Sequence, residues 1–329
     1  MQSAVAGLLG TVAVAIALLT SCDSTPAEQG APAEQRSAEN GPISYSRFDI
    51  VASHIYLVAP TGGAATQLTR GPGVQAHSAW SPSGDQAVFS QVTATGSSIT
   101  RINADGTGTT SINRGTPWSI VPSWSPDGSR VAFTSDSDGN FEIYSMNADG
   151  SDVRQLTFSD ADTTHVGPKY SPDGKRILYA VHQREAVAGN LQDLWLMNTD
   201  GSGQTRLTTG YNNAESRTWS PDGQRIAFNS IVDGIGQIYV MNSDGTGIQQ
   251  VTTNPGTTPA FLPGGIFPPL RGDITPAWSP DGGRIAFASD RDGNFEIYTM
   301  TPAGTDLVRL TETPDQEVSV GWSPKLSRN

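Results

Sequence analysis

The chain has 329 residues, with 20 Lys and Arg against 32 Asp and Glu, a formal charge of −12. That balance excludes the basic footprint that a nucleic-acid-binding surface needs. With 36 Gly and 22 Pro, turns are many and long helices few, and a single cysteine excludes both an intrachain disulfide and a multi-thiolate metal site.

Residues 4–19 are almost wholly Ala, Val, Leu, Ile and Gly. The run from Leu8 to Leu19 is too short to span a bilayer and has the character of a signal-peptide core. Leu19-Thr20-Ser21-Cys22 follows, and resembles the bacterial lipobox, in which cleavage precedes a cysteine that carries lipid. Residues 1–21 are therefore expected to be a lipoprotein signal peptide and Cys22 the lipidation site. The first basic side chain is Arg36. Residues 22–42 contain no large apolar side chain and cannot bury enough surface to offset ordering entropy. They are expected to form a disordered tether with a reach of roughly 25 Å.

From residue 43 onward one pattern recurs. Trp-Ser-Pro-Asp-Gly occupies 124–128, 219–223 and 278–282, with near copies at 80–84 and 170–174 and a truncated one at Trp322-Ser323-Pro324. The copies start 44, 46, 49, 59 and 44 residues apart. In the copy at Trp124, Pro126 pre-sets φ for a turn and Gly128 supplies positive φ. Strands are expected at 130–134, 141–146 and 154–157, separated by turns at 136–140 and 147–150. Four short antiparallel strands per unit of about 45 residues describe a propeller blade. The strands are apolar on both faces, as a blade between two neighbours requires. Residues 43–46, 54–58 and 66–69 match strands two to four, and 318–324 match strand one. The fold class expected is all-β: a six-bladed β-propeller of four-stranded antiparallel blades over 43–324, closed by pairing the N- and C-terminal strands in one blade, with a tail at 325–329.

The order Trp-Ser-Pro-Asp-Gly-x-x-Ile-Ala-Phe, then Ile-Tyr-x-Met-Asn-x-Asp-Gly, then Leu-Thr resembles the WD-like repeats of the TolB-type β-propeller family, in six copies. The resemblance implies the fold and an envelope location. TolB proper carries an α/β domain ahead of its propeller and works with the Tol–Pal system. Here the chain ahead of residue 43 is expected to hold a lipid anchor in place of that domain.

Strand parity puts the short, near-identical turns from strand one to two and from three to four on one face, the lower. Connections from two to three and from four to the next blade share the upper face, where the sequence varies. Variable loops on a rigid scaffold tend to carry function. Residues 181–193 are expected to lengthen a two-to-three loop, and 253–276 a connection between blades. The second insertion holds Phe261, Leu262, Ile266, Phe267 and Leu270, and reads either as a cap over the ring or as a docking surface. The upper face is also expected to gather Asp136, Asp138, Asp160, Asp162, Asp290, Asp292, Asp315 and Glu317. The binding candidates are Asp136, Asp138, His165, Arg271, Phe267, Asp290 and Asp292.

The strings at 135–142 and 289–296 read as hairpin turns, with an oxygen-rich calcium loop as the alternative; they lack the twelve-residue spacing of such loops. His54, His77, His165 and His182 have no metal-ligand spacing, so no metal site and no cofactor are expected. His77 and His165 both fall on connections near a first strand, which would let them approach the channel mouth, though a shared site is not the expectation. No nucleophile elbow, phosphate loop or dinucleotide fingerprint occurs, and no catalytic residue is assigned. The expected function is an extracytoplasmic, membrane-anchored lipoprotein, periplasmic or at the cell surface. It binds a protein or peptide partner through the upper-face loops. A basic partner would match the acidic loops. The alternative is a carbohydrate-active enzyme or cell-wall glycan-binding protein that uses upper-face carboxylates. Nucleic acid is not expected.

Overall fold

A computed structural model describes residues 40–48, 52–113, 118–185, 189–210, 216–256 and 271–324. The repeat folds as its turns direct. In the copy at Trp124, Ser125 Oγ donates to Asp127 Oδ1 at 2.6 Å and accepts from the Arg130 N–H at 2.9 Å. Asp127 Oδ1 also accepts from the Ser129 N–H at 3.0 Å. The same bonds recur at Ser171–Asp173, Ser220–Asp222 and Ser279–Asp281. In the first copy Ser83 replaces the aspartate, and Asp85 receives the hydroxyls of Ser81 and Ser83 instead. These hydroxyls, with the turn amides, hold the carboxyls of Asp85, Asp127, Asp173 and Asp222 below the usual range. The charge of each turn is thus satisfied within the turn.

Each unit is a four-stranded antiparallel sheet. Ser119–Trp124, Arg130–Ser135, Glu142–Asn147 and Arg154–Gln155 pair in that order, and the units that begin with Thr163–Tyr170, Arg217–Trp219 and Asp273–Trp278 repeat it. The architecture is an all-β propeller of four-stranded antiparallel blades. Eight further strands form one sheet. Half of it is Gln316–Pro324, Asn40–Phe48, Ser53–Val58 and Thr66–Gln67; the other half is Val74–Trp80, Gln86–Thr93, Gly96–Asn103 and Thr110–Ser111. The halves join through a single parallel pair, Ser53 with Val74. Separate sheets were the expectation for every blade; here two sets of four share a sheet. The local cause is Ser53, whose N–H donates to Gly73 O at 3.3 Å and whose Oγ donates to Gln75 O at 2.9 Å.

The two ends of the described chain pair as expected. Ile43 faces Trp322, Ser44 faces Gly321, and Arg47 faces Glu317 across an antiparallel ladder. Trp322 Nε1 donates to Gly41 O at 3.0 Å.

The apolar strands are buried between consecutive units. Val88 and Ile99 pack with Trp124 and Phe133; Ile143 with Ile177 and Tyr179; Leu178 and Leu196 with Trp219 and Phe228. Ala227 and Ile238 pack with Trp278 and Phe287, Ile274 and Ile297 with Ile43 and Trp322, and Ile55 with Phe89 and Ile102. The last cluster returns to the first unit, so the packing is cyclic. Phe133, Phe228 and Phe287 stack on cross-strand Tyr144, Tyr239 and Tyr298 at centroid distances of 5.9, 5.5 and 6.1 Å. Each large side chain buried in this way contributes roughly 1.5–3 kcal/mol.

Loop parity also follows the strands. The Ala148 N–H donates to Ser129 O, and the Ser243 N–H to Gln224 O, both at 2.9 Å, which joins the two kinds of short turn on one face. Asn140 Nδ2 reaches Asp160 O at 2.9 Å and Thr163 O at 2.6 Å, which joins a two-to-three turn to the following connection. The insertion at 181–193 differs from expectation. It lengthens a hairpin rather than a loop, because Arg176–Glu185 and Gly189–Asn198 stay paired out to Glu185 and Gly189. Within 253–276, residues 257–270, including Phe267, lie outside the described residues, and Asp273–Trp278 is already strand. Cys22 and the expected signal peptide and tether up to residue 39 also lie outside them.

Candidate functional site

The first strands of the units surround a cavity of about 230 Å³. Each of five carries a kink at the third residue before its aromatic. His77, Val121, Thr275 and Ser319 have φ of 55, 53, 53 and 58°, and Gly167 has 62°. The ladder slips register at each of these places. Such bulges re-aim side chains. A left-handed non-glycine residue costs roughly 1–2 kcal/mol, so the repeated kink is a sustained cost along the cavity wall.

In chain order, the three residues before the aromatic read His-Ser-Ala, Val-Pro-Ser, Gly-Pro-Lys, Ser-Arg-Thr, Thr-Pro-Ala and Ser-Val-Gly. None is acidic. Lys169, Arg217 and His77 stand where the other copies have small or apolar residues. All three line the cavity, and among the described residues no Asp or Glu does. Arg217 is buried, and its Nη2 donates to the carbonyls of Val166 and Gly167. Gly167 makes that possible, because a Cβ on it would lie 2.3 Å from Arg217 Nη2. Burial, with Arg217 nearby, pushes the Lys169 ammonium down to about 8. Its side chain meets the cavity without a hydrogen bond or ion pair among the described residues. Burial, with Lys169 nearby, pushes the His77 imidazole down to about 4, so it is neutral at pH 7. Its Nδ1 lies 3.4 Å from Ser90 Oγ.

The acids singled out from sequence are spread among their own units. Asp136 accepts from the Trp118 N–H at 3.0 Å, and burial raises its pKa. Asp138 accepts from Gln155 Nε2 at 2.6 Å. Asp290 is buried and accepts from Asn254 Nδ2 and the Gly272 N–H, both at 3.0 Å. Asp292 receives the Tyr298 hydroxyl and lies 3.4 Å from Arg309 Nη1. His165 is buried, with Nδ1 2.6 Å from Glu142 Oε2 and its ring edge on Tyr179. It does not share a partner with His77. Arg271 is half-buried, and its carbonyl accepts from the Gly236 N–H at 2.8 Å. In both Asp-Gly-Asn-Phe-Glu strings the asparagine straps a hairpin turn to the following connection, Asn140 as above and Asn294 through Thr313 O and Asp315 O. Among the described residues no three His, Cys, Asp or Glu gather as a metal-ligand set.

Two features went unnoticed in the sequence. Lining up the copies on their aromatic would have exposed Lys169 and Arg217, which lie in strands rather than loops. Phe158 is 74% exposed on the connection that also presents Asp160 and Asp162 to solvent, and its exposure has no sequence signal.

Residues 32–192 and 162–266 match the family described as the TolB beta propeller domain. Dipeptidyl-peptidase 5 of Porphyromonas endodontalis is 29% identical over 125 residues, 38% of this chain and 16% of that protein. The Tol-Pal system protein TolB of Desulfosudis oleivorans is 31% identical over 122 residues, 37% of this chain and 24% of that protein. The matched stretches thus span a quarter or less of either relative. The crystal structure of TolB from Acinetobacter baumannii superposes with a TM-score of 0.68 at 19% identity, over 87% of this chain and 67% of that one. That likeness is one of fold.

Proposed function

The chain belongs to the TolB β-propeller domain family, and from that premise we propose a lipid-anchored, extracytoplasmic binding scaffold. In this reading the ring has six blades, two of them sharing the eight-stranded sheet. It holds a protein or peptide partner against the face that carries the variable connections. The observation that carries the proposal is the contrast between the faces. On one, the Ser-Pro-Asp-Gly turns repeat and satisfy their own charges. On the other, Phe158 is 74% exposed, just ahead of the solvent-facing Asp160 and Asp162. An aromatic that can be buried by a partner is a common anchor of protein interfaces. A basic element of the partner would meet Asp160 and Asp162, since Asp136, Asp138, Asp290 and Asp292 already have partners within the fold.

The envelope location rests on the lipobox-like Cys22 and on similarity to a Tol-Pal system protein. Cys22→Ala is expected to accumulate as uncleaved, unlipidated precursor. Mature lipidated protein from that variant would remove the anchor from this reading.

The test of the binding face is cross-linking in the native envelope followed by affinity capture of the full chain. Phe158→Ala combined with Asp160→Ala is expected to lower capture of the cross-linked partner about tenfold, as loss of one interface anchor does. Lys175→Ala combined with Gln224→Ala, on the opposite face, is expected to leave it unchanged. Equal capture by both variants overturns the assignment.

A further inference from the structure

We propose that the central cavity is a binding site for a carboxylate with an apolar body. This goes beyond partner docking and does not depend on which face a partner meets. The chain as a whole carries −12, yet among the described residues the cavity wall has no acid and holds Lys169, Arg217 and His77. In an acidic protein a cationic lining without a counter-charge is a departure that selects for an anion. Lys169 is central to it. Lys169 is half-buried and lines the cavity with its side chain unpartnered among the described residues, whereas Arg217 is engaged with two backbone carbonyls. A half-buried ammonium left unpaired is disfavoured, and a carboxylate would relieve that cost through a charge-assisted hydrogen bond.

The rest of the wall sets the ligand class. Trp80, Trp278, Trp322, Val121, Val166 and Val320 make it mostly apolar. An apolar hollow with a few convergent polar groups is the usual form of a small-molecule site. The free positive charge is that of one ammonium reinforced by the Arg217 field, since His77 is neutral at pH 7. That suits a monoanion better than a dianion. The space, about 230 Å³, equals the volume of on the order of eight waters, enough for a short aliphatic or aromatic acid. The same carboxylate chemistry is offered by a free organic acid and by the end of a peptide chain.

The experiment uses the full chain and hexanoate as the probe. Lys169 is acetylated with limiting acetic anhydride near pH 8, and its modification is followed by mass spectrometry beside exposed Lys175. Hexanoate is expected to protect Lys169 and not Lys175. Hexanamide, its neutral isostere, and sulfate are expected to protect neither. By calorimetry, Lys169→Met is expected to bind hexanoate about tenfold more weakly or worse, the loss for one charge-assisted bond. A tetrapeptide ending in Leu-Phe, as free acid and as amide, is run against hexanoate. Stronger protection by the free-acid peptide assigns the source to a chain end, and stronger protection by hexanoate assigns it to a free acid. Protection by hexanamide or sulfate equal to that by hexanoate overturns the proposal. So does unchanged hexanoate affinity in Lys169→Met. The protection measurement needs no variant and stands if Lys169→Met fails to fold.

Discussion

Pro324 lies against Gly84. A Cβ added to Gly84 would sit 3.5 Å from Pro324 Cγ, just as Cβ atoms on Gly128, Gly174, Gly223 and Gly282 would sit 3.2–3.7 Å from the rings of Pro82, Pro126, Pro172 and Pro221. Pro82, Pro126, Pro172 and Pro221 therefore each lie against the glycine of the next turn, and Pro324, the last proline of the repeat, lies against the first glycine. The contact needs the terminal strand in place, and Trp322 in that strand is buried against Ile43, Tyr45 and Ile274. Trp322→Ala is expected to cost about 3–5 kcal/mol, as truncation of a buried tryptophan does. Removal of residues 318–329 is expected to leave a chain that is insoluble or melts far lower, since total stabilities are only about 5–15 kcal/mol. Denaturant melts of both variants against the full chain check this. Removing residues 23–38 serves as the control and is expected to leave the midpoint unchanged. A C-terminal truncation that melts like the full chain would mean that the ends do not hold each other.

The two kinds of turn glycine are not equivalent. At Gly128 (φ 72°) the only near neighbour of an added Cβ is Pro82, at 3.7 Å, so Gly128→Ala carries the left-handed penalty of roughly 1–2 kcal/mol and little more. At Gly150 (φ 89°) the Cβ would fall 1.8 Å from Ile112 O, on the backbone of the preceding unit. Gly150→Ala must therefore displace one unit from the next. Its urea midpoint is expected well below that of Gly128→Ala, and equal midpoints would mean that the seam between units yields freely.

Glu296 and Glu317 are both fully buried at the closing seam, where Arg47 lies 2.7 Å from Glu317 and Arg309 lies 3.3 Å from Glu296. Burial, followed by the neighbouring Glu296, pushes Glu317 up to about 7. A carboxyl raised in this way binds its proton more tightly folded than unfolded. Its contribution to stability is complete below about pH 4.5 and is lost as pH rises towards 7. His77 and His182, pushed down to about 4 and about 3 by burial, act in the opposite sense as pH falls below 6.5, so the raw pH profile mixes the two effects. The difference between variants isolates Glu317. The melting temperature of Glu317→Gln minus that of the unmutated chain is expected to be larger at pH 8 than at pH 5. A difference independent of pH would place the Glu317 titration outside that range.

What could be read from sequence follows the range of the interactions. The Ser-Pro-Asp-Gly turn closes within five residues, through Ser125, Asp127 and Arg130, so its copies announce the strands around them. The pairing of the ends was legible because one strand was missing at one end and spare at the other. The joining of two sets of four strands into one sheet rests on the single Ser53–Val74 pair and left no pattern. The acidic candidates illustrate the limit. Asp290 looks like a loop acid until Asn254, 36 residues earlier, is brought to it by the fold. The channel cations were present in the sequence, but they sit in strands whose regularity suggested structure alone.

Lys169 stands in the channel wall at an energetic disadvantage, and that can be measured apart from any ligand. Its folded value of about 8 lies below the ordinary 10.5, because burial and then Arg217 disfavour the charge. The unfolded chain therefore holds this proton more tightly. The penalty is fully present below pH 8, and stability recovers as pH rises from about 8 towards 10.5. Lys169→Met, of similar length and uncharged, is expected to melt above the unmutated chain at pH 7, with the gap closing across that range. Loss of the neighbouring charge is also expected to raise the His77 imidazole, which proton NMR reads directly. Residues that lower stability are a recurrent feature of functional sites. A lower melting temperature for Lys169→Met at pH 7 would mean that the ammonium already has a stabilising partner, and the channel wall would lose its claim to an unsatisfied cation.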